Sequence, residues 1–332
     1  MNVAVIGGGA WGTTLADLLA RKGAAVRLWA REPEVVEGVN RAHRNDIFLP
    51  GATLAAELRA TGDLGDAVRG AEVVVSAAPS HVVRDVMEQA APALSGRPLI
   101  VSVSKGLEPQ RLETPSVVLG EVLGAGMPIA VMSGPSFARE VYERQPTAVV
   151  AAAHDHDVAK RAQQVFSCAY FRVYSHTDVV GVELGGALKN VIALAAGILE
   201  GLGLGNNPRA ALITRGLAEI TRLGTVLGAD PMTFAGLAGM GDLILTATGA
   251  LSRNRTLGIA LGKGQTLAQA QAGHLWVAEG VNTAKSAVAL GERHGVELPI
   301  AQQVADILFH GKPPRQAIGE LMERDLKAEQ WR

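Results

Sequence analysis

The chain has 332 residues, of which 48% are hydrophobic, 4% aromatic and 19% charged. This length predicts about two domains, and this composition is typical of a globular protein and excludes extensive disorder. The formal net charge of −1 excludes the broad basic field that sequence-independent nucleic-acid binding requires.

The first predicted element is a short apolar strand that leads directly into a G-x-G-x-x-G loop and a helix. Gly7 permits the tight turn, Gly9 lets the backbone approach a pyrophosphate, and Gly12 lets the helix pack against the strand. The N-terminus of the helix offers unpaired N–H groups to the phosphates. The alternative is a plain strand-to-helix turn. The order of strand, glycines and helix instead favours a dinucleotide site, whose predicted residues are Gly7, Gly9, Ala10, Trp11 and Gly12.

A second predicted strand, Ala25–Trp29, ends just before Arg31 and Glu32. In dinucleotide sites an acidic residue at this position binds the ribose hydroxyls of NAD, whereas an arginine accommodates the 2′-phosphate of NADP. Arg31 therefore somewhat favours NADPH as the cofactor, and Glu32 leaves NAD as the alternative. Ordinary solvated surface charges are the alternative for both residues.

Apolar runs and helical patterns alternate up to about residue 178, which predicts a Rossmann-like, doubly wound parallel sheet. Beyond that point helical patterns alone continue, so the fold class is α/β plus all-α, with domains at 1–178 and 179–332. The predicted strands after the second are 72–77, 99–103, 129–132, Thr147–Ala152 and 171–174. The predicted C-terminal helices are 182–202, 210–227, 231–235, 255–263, 266–272, 282–294, Pro299–Phe309 and Pro314–Met322.

Three loops, at 77–81, 102–108 and 133–140, follow predicted strands at the sheet edge where ligands bind in open α/β folds. Lys105 places an ammonium group there, suited to an anionic substrate. Gly134 and Ser136 offer N–H and hydroxyl groups to substrate oxygens. The alternatives are a solvated lysine and a serine that only caps a helix.

Lys189 lies in an otherwise small and apolar helical stretch. Lysine is rarely buried without a partner, and burial lets an amine lose its proton near neutral pH, so Lys189 is a candidate general base. A lysine whose ammonium group reaches solvent is the alternative. Asp242 is a candidate to pair with a lysine or to position a water.

Arg253 and Arg255 lie close together, flanked by Ser252 and Asn254, and this cluster predicts a receptor for an oxyanion or phosphate. Further along, the segment WVAEGVNT contains Val277 and Glu279. Its residues alone predict no more than the start of a helix.

Taken together, the motifs GGGAWG, SKGLE, SGPSFARE, GVELGGALKNVIALAAGI, AGMGDLILTAT, SRNR and VAEG resemble the bacterial-type NAD(P)-dependent sn-glycerol-3-phosphate dehydrogenases from residue 2 to about 325. The resemblance implies reversible hydride transfer between NAD(P)H and dihydroxyacetone phosphate, chiefly for phospholipid synthesis. The implied catalytic residues are Lys189, Lys105 and Asp242. The implied substrate-binding residues are Lys105, Gly134, Ser136, Lys189, Asp242, Ser252, Arg253 and Asn254. The implied cofactor-contacting residues are Trp11, Arg31, Lys105, Ala138, Arg253, Val277 and Glu279. The segment at 40–51 also resembles the family, without an assigned role.

Two other functions stay open from the residues alone. A β-hydroxyacid or 6-phosphogluconate-type dehydrogenase would bind a carboxylate in place of the phosphate, and a dinucleotide sensor would bind cofactor without turnover. A flavin enzyme at the membrane is disfavoured, because the most apolar stretch, at 191–199, is well short of a membrane span.

The remaining expectations concern location and assembly. The first strand begins at residue 2, which leaves no room for a signal peptide and predicts a cytoplasmic protein. The single cysteine, Cys168, excludes an internal disulfide and suits a reducing compartment. We predict no metal site and no nucleic-acid partner, and the resemblance suggests a homodimer.

Overall fold

The structure is a computed structural model that describes residues 1–273, 278–326 and 329. Its residues group into two compact units. The N-terminal unit comprises Met1–Lys105 and Thr114–Val179, and the C-terminal unit comprises Gly106–Glu113 and Val180–Arg332. The division of the chain thus differs from the expected boundary at residue 178, because the segment Gly106–Glu113 belongs to the C-terminal unit. This segment groups with the second unit because Leu107 packs into the helical core.

The N-terminal unit is an eight-stranded sheet with helices on both faces, in the strand order β3-β2-β1-β4-β5-β6-β7-β8. Its strands are β1 (Asn2–Ile6), β2 (Ala25–Trp29), β3 (Arg59–Thr61), β4 (Val73–Ser76), β5 (Leu99–Ser102), β6 (Ile129–Ser133), β7 (Thr147–Ala152) and β8 (Phe171–His176). Its helices are α1 (Ala10–Arg21), α2 (Pro33–Glu37), α3 (Leu64–Val68), α4 (Val83–Ala90), α5 (Pro115–Leu123), α6 (Ala138–Tyr142) and α7 (His156–Phe166).

The central strands are buried on both faces, as their continuous apolar sequences predict. Every residue of β4 and β5 is buried. Alternate residues pack into two separate cores, one with α1 and α7 and the other with α3, α4 and α5. The predicted doubly wound arrangement is confirmed.

The sheet is mixed rather than wholly parallel, because β7 runs antiparallel to β6. A continuous apolar run has the same pattern in either direction, so the sequence did not reveal this reversal. The short edge strand β3 was also missed. It has three residues and lacks the apolar run of a central strand.

The C-terminal unit is helical among its described residues, which confirms the predicted change of class. Its helices are α8 (Val179–Gly201, beginning at the last residue of the N-terminal unit), α9 (Asn206–Val226), α10 (Pro231–Phe234), α11 (Asp242–Thr248), α12 (Arg253–Gly262), α13 (Leu267–Gln271), α14 (Glu279–His294), α15 (Pro299–Phe309) and α16 (Pro314–Met322). Helix α11 was not predicted, and a π-helical turn at Leu237–Gly241 precedes it.

Helices α8 and α12 cross at unusually short distance because glycines face each other. A side chain on Gly197 would place its Cβ 2.1 Å from the carbonyl oxygen of Arg255, and one on Gly258 would lie 2.2 Å from that of Leu194. Backbone therefore packs against backbone at this crossing. This contact sets the positions of two helices that contribute residues to the candidate site.

Helix α8 is long and apolar enough to cross a membrane, and 89% of its most apolar window is buried inside the protein. Within the described part of the chain, only the bent pair formed by Pro231–Thr248 and Arg253–Gly262 also passes this test. Burial of this extent is typical of the core helix of a globular unit.

Candidate active site

The glycine loop between β1 and α1 has the geometry that a dinucleotide pyrophosphate needs. Gly7 has a φ angle of +126°, and its N–H donates to the carbonyl of Trp29 at 3.0 Å. A side chain on Gly12 would place its Cβ 2.0 Å from the Gly7 oxygen, whereas the same position on Gly9 has open space around it. No side chain caps the N-terminus of α1, so its first N–H groups remain available to a ligand. The residues present therefore fit the dinucleotide.

The other predicted cofactor residues of this unit lie nearby in the chain but differ in exposure. Ala10 is buried, and the Trp11 ring is partly buried against Phe171, with 6.3 Å between the ring centroids. The side chain of Arg31 is 84% exposed and forms a 3.0 Å ion pair with Glu32. Arg31, which favoured NADP, and Glu32, which favoured NAD, thus form an ion pair with each other.

Two of the three predicted loops are joined by hydrogen bonds to one carbonyl group. Lys105 Nζ and Ser136 Oγ both donate to the carbonyl oxygen of Gly134, at 3.0 and 2.9 Å. Gly134 has a φ angle of +142°, and a Cβ there would lie 2.9 Å from the Cα of Val149. Ala138 begins α6, and its carbonyl accepts a hydrogen bond from Thr14 Oγ1 at 3.2 Å. The loops after β5 and β6 are therefore joined to each other through the Gly134 carbonyl.

Three adjacent strands end in a buried serine at this same edge. Ser76, Ser102 and Ser133 are 0%, 2% and 5% exposed, and their hydroxyls find no hydrogen-bond partner in the described structure. Buried hydroxyls are normally hydrogen-bonded. The three serine hydroxyls thus lie side by side at the carboxyl edge of the sheet. We missed Ser76 and Ser102 in the sequence, where a serine at the end of each apolar run was the available signal.

Lys189 is buried in the C-terminal unit and holds an ion pair. It is 6% exposed, and its Nζ lies 2.6 Å from Asp242 Oδ1 and 2.6 Å from Thr246 Oγ1. The alternative of a lysine that reaches solvent is therefore wrong. Burial of both charges is costly, and close pairing with additional hydrogen bonds offsets that cost. The sequence suggested that Asp242 could pair with a lysine, and the structure confirms the contact.

Thr246 completes this group and was missed in the sequence. Its hydroxyl also donates to the backbone oxygen of Asp242 at 2.7 Å, one turn earlier in α11. The i, i+4 spacing of Asp242 and Thr246 was the available signal, but it carries information only once α11 is recognised as a helix. We define Lys189, Asp242 and Thr246 as the lysine centre.

Two buried asparagines connect three helices next to the lysine centre. Asn254 Nδ2 donates to Asn190 Oδ1 at 2.9 Å, and the N–H of Gly280 donates to Asn254 Oδ1 at 3.0 Å. Asn190 directly follows Lys189 in α8, and Gly280 lies in the first turn of α14. The predicted substrate residue Asn254 thus holds the starts of α12 and α14 beside α8.

The two arginines predicted to bind an anion have different surroundings. Arg255 donates to both carboxylate oxygens of Glu200, at 3.0 and 2.7 Å, so its inclusion in the anion receptor is corrected: it stabilises the contact between α8 and α12. Arg253 begins α12 and is exposed. Although the residue as a whole is exposed, protein around its guanidinium removes part of the hydration and lowers the pKa of that group from the ordinary value, and the Glu279 carboxylate opposes the shift.

The remaining predicted residues of this unit lie at helix starts. Ser252 is buried and caps α12, its hydroxyl accepting the N–H of Arg255 at 3.2 Å. Glu279 is the first residue of α14. Val277 lies outside the described residues. No group of three or more potential metal ligands occurs in the described ranges.

Comparison with known proteins gives matches across both units. The chain matches the model of the NAD-dependent glycerol-3-phosphate dehydrogenase N-terminus over residues 2–159 and that of the C-terminus over residues 178–319. It is 56% identical over 330 residues to a glycerol-3-phosphate dehydrogenase [NAD(P)+] of Geobacter metallireducens, covering 99% of this chain and 98% of the relative. A protein of the same name from Nitratidesulfovibrio vulgaris is 52% identical, over 99% and 100% of the two chains.

Solved structures of glycerol-3-phosphate dehydrogenases also match nearly the whole chain. The crystal structure of glycerol-3-phosphate dehydrogenase from Coxiella burnetii is 40% identical, with a TM-score of 0.94, and the match covers 97% of this chain and 99% of that one. The yeast enzyme from Saccharomyces cerevisiae is 29% identical with a TM-score of 0.81, over 98% and 99% of the chains.

Proposed function

The chain belongs to the NAD-dependent glycerol-3-phosphate dehydrogenase family, and from that premise we propose that Lys189 moves the proton in its reaction. The protein is an NAD(P)-dependent oxidoreductase that interconverts dihydroxyacetone phosphate and sn-glycerol 3-phosphate. The observation that carries the proposal is the buried ammonium group of Lys189, held 2.6 Å from Asp242 and from Thr246.

When bound, the nicotinamide cofactor supplies or accepts the hydride at C2 of the substrate. Lys189 as an ammonium donates a proton to the C2 oxygen during reduction, and neutral Lys189 removes that proton during oxidation. Asp242 stabilises the charged form of Lys189 and holds Nζ in a single position. The Thr246 hydroxyl accepts a second Nζ hydrogen bond, so the lysine is oriented before the substrate arrives.

Arg253 is the proposed ligand of the substrate phosphate. It lies at the N-terminus of α12, where backbone N–H groups and the helix dipole favour an anion, and a guanidinium can bind phosphate with two hydrogen bonds. Binding of the phosphate orients C2, so this remote contact contributes to turnover as well as affinity. The other proposed substrate residues are Lys105, Gly134, Ser136, Ser252 and Asn254. Among them Lys105 offers a second ammonium group to the anionic substrate.

The proposed cofactor residues include the glycine loop, because its open space at Gly9 and its uncapped helix N-terminus fit a pyrophosphate. The full proposed set is Gly7, Gly9, Ala10, Trp11, Gly12, Arg31, Lys105, Ala138, Arg253, Val277 and Glu279. The cofactor is NAD or NADP, and Arg31 somewhat favours NADPH.

The remaining proposals have separate grounds. The change from alternating strands and helices to helices alone supports a dinucleotide-binding domain at 1–178 and a substrate domain at 179–332. The single cysteine, suited to a reducing compartment, supports a cytoplasmic location. The family resemblance supports a homodimer and a role in supplying the glycerol backbone of phospholipids. Light scattering of the purified protein tests the assembly, since a homodimer has twice the chain mass of 34.5 kDa.

The reaction is tested by following reduced-nicotinamide absorbance with purified protein and dihydroxyacetone phosphate. NADH and NADPH are compared in parallel, and unphosphorylated dihydroxyacetone is the control. We expect rapid oxidation of the cofactor with the phosphorylated ketone alone. Binding of both cofactors without consumption of either would contradict the assignment and favour a dinucleotide sensor.

A further inference from the structure

The segment at residues 40–51, which had no role in the sequence analysis, contains a buried amide that contacts the glycine loop. Asn45 is 1% exposed. Its Nδ2 donates to the carbonyl oxygen of Gly8 and to Thr13 Oγ1, both at 2.8 Å, while its Oδ1 accepts the N–H of Phe48 at 3.2 Å. The amide therefore joins this segment to the middle of the glycine loop.

The Gly8 carbonyl receives a second hydrogen bond, from Thr13 Oγ1 at 3.1 Å. Thr13 is 0% exposed and lies in the first turns of α1. Two buried donors on one carbonyl oxygen fill both of its lone pairs. The direction of this carbonyl is therefore fixed more strongly than that of an ordinary loop residue.

The orientation of the Gly8 carbonyl determines that of the next N–H group. A peptide unit is planar and trans, so its C=O and N–H point in opposite directions. With the Gly8 oxygen held against Asn45, the N–H of Gly9 points away from that buried contact. The position of a Cβ on Gly9 is open space, which is where the pyrophosphate is proposed to lie.

We propose that Asn45 is a positioning residue for the cofactor, which keeps the Gly8–Gly9 peptide in the orientation that presents an N–H to the pyrophosphate. Two consecutive glycines allow a peptide rotation at low steric cost, and the rotated form would direct a carbonyl oxygen at the phosphates. The Asn45 amide opposes that rotation. This inference rests on the proposed cofactor site.

The test compares Asn45→Ser with Asn40→Ser. A serine at position 45 retains an acceptor for the Phe48 N–H but is too short to reach Gly8. Asn40 is the matched control, because it lies in the same segment and its amide makes two hydrogen bonds to Ala60, at 2.8 and 2.9 Å, without contacting the glycine loop. The readouts are the dissociation constants of NADH and NADPH, the KM of dihydroxyacetone phosphate and the thermal midpoint.

We expect Asn45→Ser to raise both cofactor dissociation constants about 10-fold or more, because a buried carbonyl loses a donor and the peptide gains freedom. The KM of dihydroxyacetone phosphate should stay within about three-fold of the parent. Asn40→Ser should lower the thermal midpoint by about as much as Asn45→Ser does, and should leave both cofactor dissociation constants within about three-fold of the parent. If Asn45→Ser does not fold, Thr13→Val removes the other side-chain donor to the Gly8 carbonyl and keeps the branched shape of the side chain without adding a charge, and the same thresholds apply.

Gly9→Val separates the positioning proposal from the cofactor site itself. The added side chain enters open space, so the protein should fold and lose cofactor affinity. If Gly9→Val loses affinity while the Asn45 variant keeps it, the positioning role is overturned. Equal increases in the cofactor and substrate constants of the Asn45 variant would also overturn it. If Gly9→Val binds cofactor like the parent, the proposed pyrophosphate site is the part that fails.

Discussion

The glycine loop and the lysine centre use opposite means to prepare for a charged ligand. In the N-terminal unit, the proposed ligand-facing groups are backbone N–H donors. Side chains are excluded sterically there, since a Cβ on Gly12 would lie 2.0 Å from the Gly7 oxygen. In the C-terminal unit, the proposed reactive group is the Lys189 side chain, which is buried with its counter-charge Asp242. A backbone site involves no buried ionised side chain, whereas a buried ion pair couples catalysis to stability. We therefore expect substitutions in the lysine centre to change the stability of the fold as well as turnover, and substitutions at the glycine loop to change mainly cofactor binding.

The largest effect is expected from Lys189→Met. Loss of the proposed proton donor should lower kcat by about 1,000-fold, within the range for general acid–base catalysis. The 1% exposed Asp242 carboxylate would also lose the positive charge of Lys189, and loss of one partner of a buried pair costs about 3–5 kcal/mol of unfolding free energy. Steady-state kinetics and urea denaturation measure the two effects.

The double variant Lys189→Met with Asp242→Asn sharpens the comparison, because it removes both charges. Stability should recover while turnover stays low. Lys312→Met is the control, since Lys312 forms a 2.7 Å ion pair with Asp306 away from the lysine centre and should not alter kcat. Turnover of the single variant within about 10-fold of the parent would exclude Lys189 from proton transfer.

A second buried charge of the C-terminal unit predicts a pH effect on stability. Glu219 is 5% exposed and accepts the N–H groups of Ile300 and Ala301, at 2.7 and 3.4 Å. Burial raises its pKa from 4.5 to about 7, while these hydrogen bonds and the charges of Arg222 and Arg324 oppose the rise. The folded protein therefore holds the proton more tightly than the unfolded chain does. The resulting stability is fully present below pH 4.5 and is lost as the pH rises through about 7.

Glu219→Gln should remove this pH dependence, because the amide keeps an acceptor oxygen without a charge. Between pH 5 and 8, the parent should lose up to about 3 kcal/mol of unfolding free energy relative to this variant. Urea denaturation followed by circular dichroism at both pH values measures the difference. The exposed Glu292→Gln control should behave like the parent. Parallel pH profiles of the parent and Glu219→Gln would contradict the prediction.

Arg253 and Arg255 test whether two arginines in the first turn of one helix have separate roles. Arg253→Met should raise the KM of dihydroxyacetone phosphate about 30-fold, the range for one charge-assisted contact, and should also lower kcat. Arg255→Met breaks the pair with Glu200 and should lower the thermal midpoint, with KM changed by at most about three-fold. The reverse pattern in kinetic assays would assign the phosphate to Arg255.

The sequence revealed the glycine loop more completely than it revealed the lysine centre. The glycine motif is local: strand, turn and helix follow one another, and each glycine has its own steric reason. The contact between Lys189 and Asp242 joins residues 53 positions apart in the chain. The sequence identified Asp242 as a candidate partner of a lysine, but only the fold shows that Asp242 lies within hydrogen-bond distance of Lys189. Thr246 was missed because α11 itself was not predicted.

The same distinction explains the corrections. Arg255 has the residue type of an anion receptor, and composition alone did not show that it pairs with Glu200. Ser252 remains a proposed substrate residue, and its role as the cap of α12 also depends on the fold. The reversed direction of β7 is likewise a property of pairing and not of the apolar run. Local motifs thus predicted elements and candidate groups, while the internal partners of those groups depend on tertiary contacts.

The smallest effect is expected from Arg31, where a side chain of the N-terminal unit was predicted to select the cofactor. Its guanidinium is 84% exposed and already paired with Glu32, so solvent and the carboxylate both weaken its attraction for a 2′-phosphate. Arg31→Ala should raise the KM of NADPH about five-fold and leave that of NADH nearly unchanged. Glu32→Gln should shift the preference in the opposite direction, because it releases Arg31 from its competing anion. Steady-state kinetics with both cofactors measures these ratios. Equal changes for NADH and NADPH would mean that neither side chain reads the 2′-phosphate, and that the backbone of the glycine loop binds both cofactors through the pyrophosphate they share.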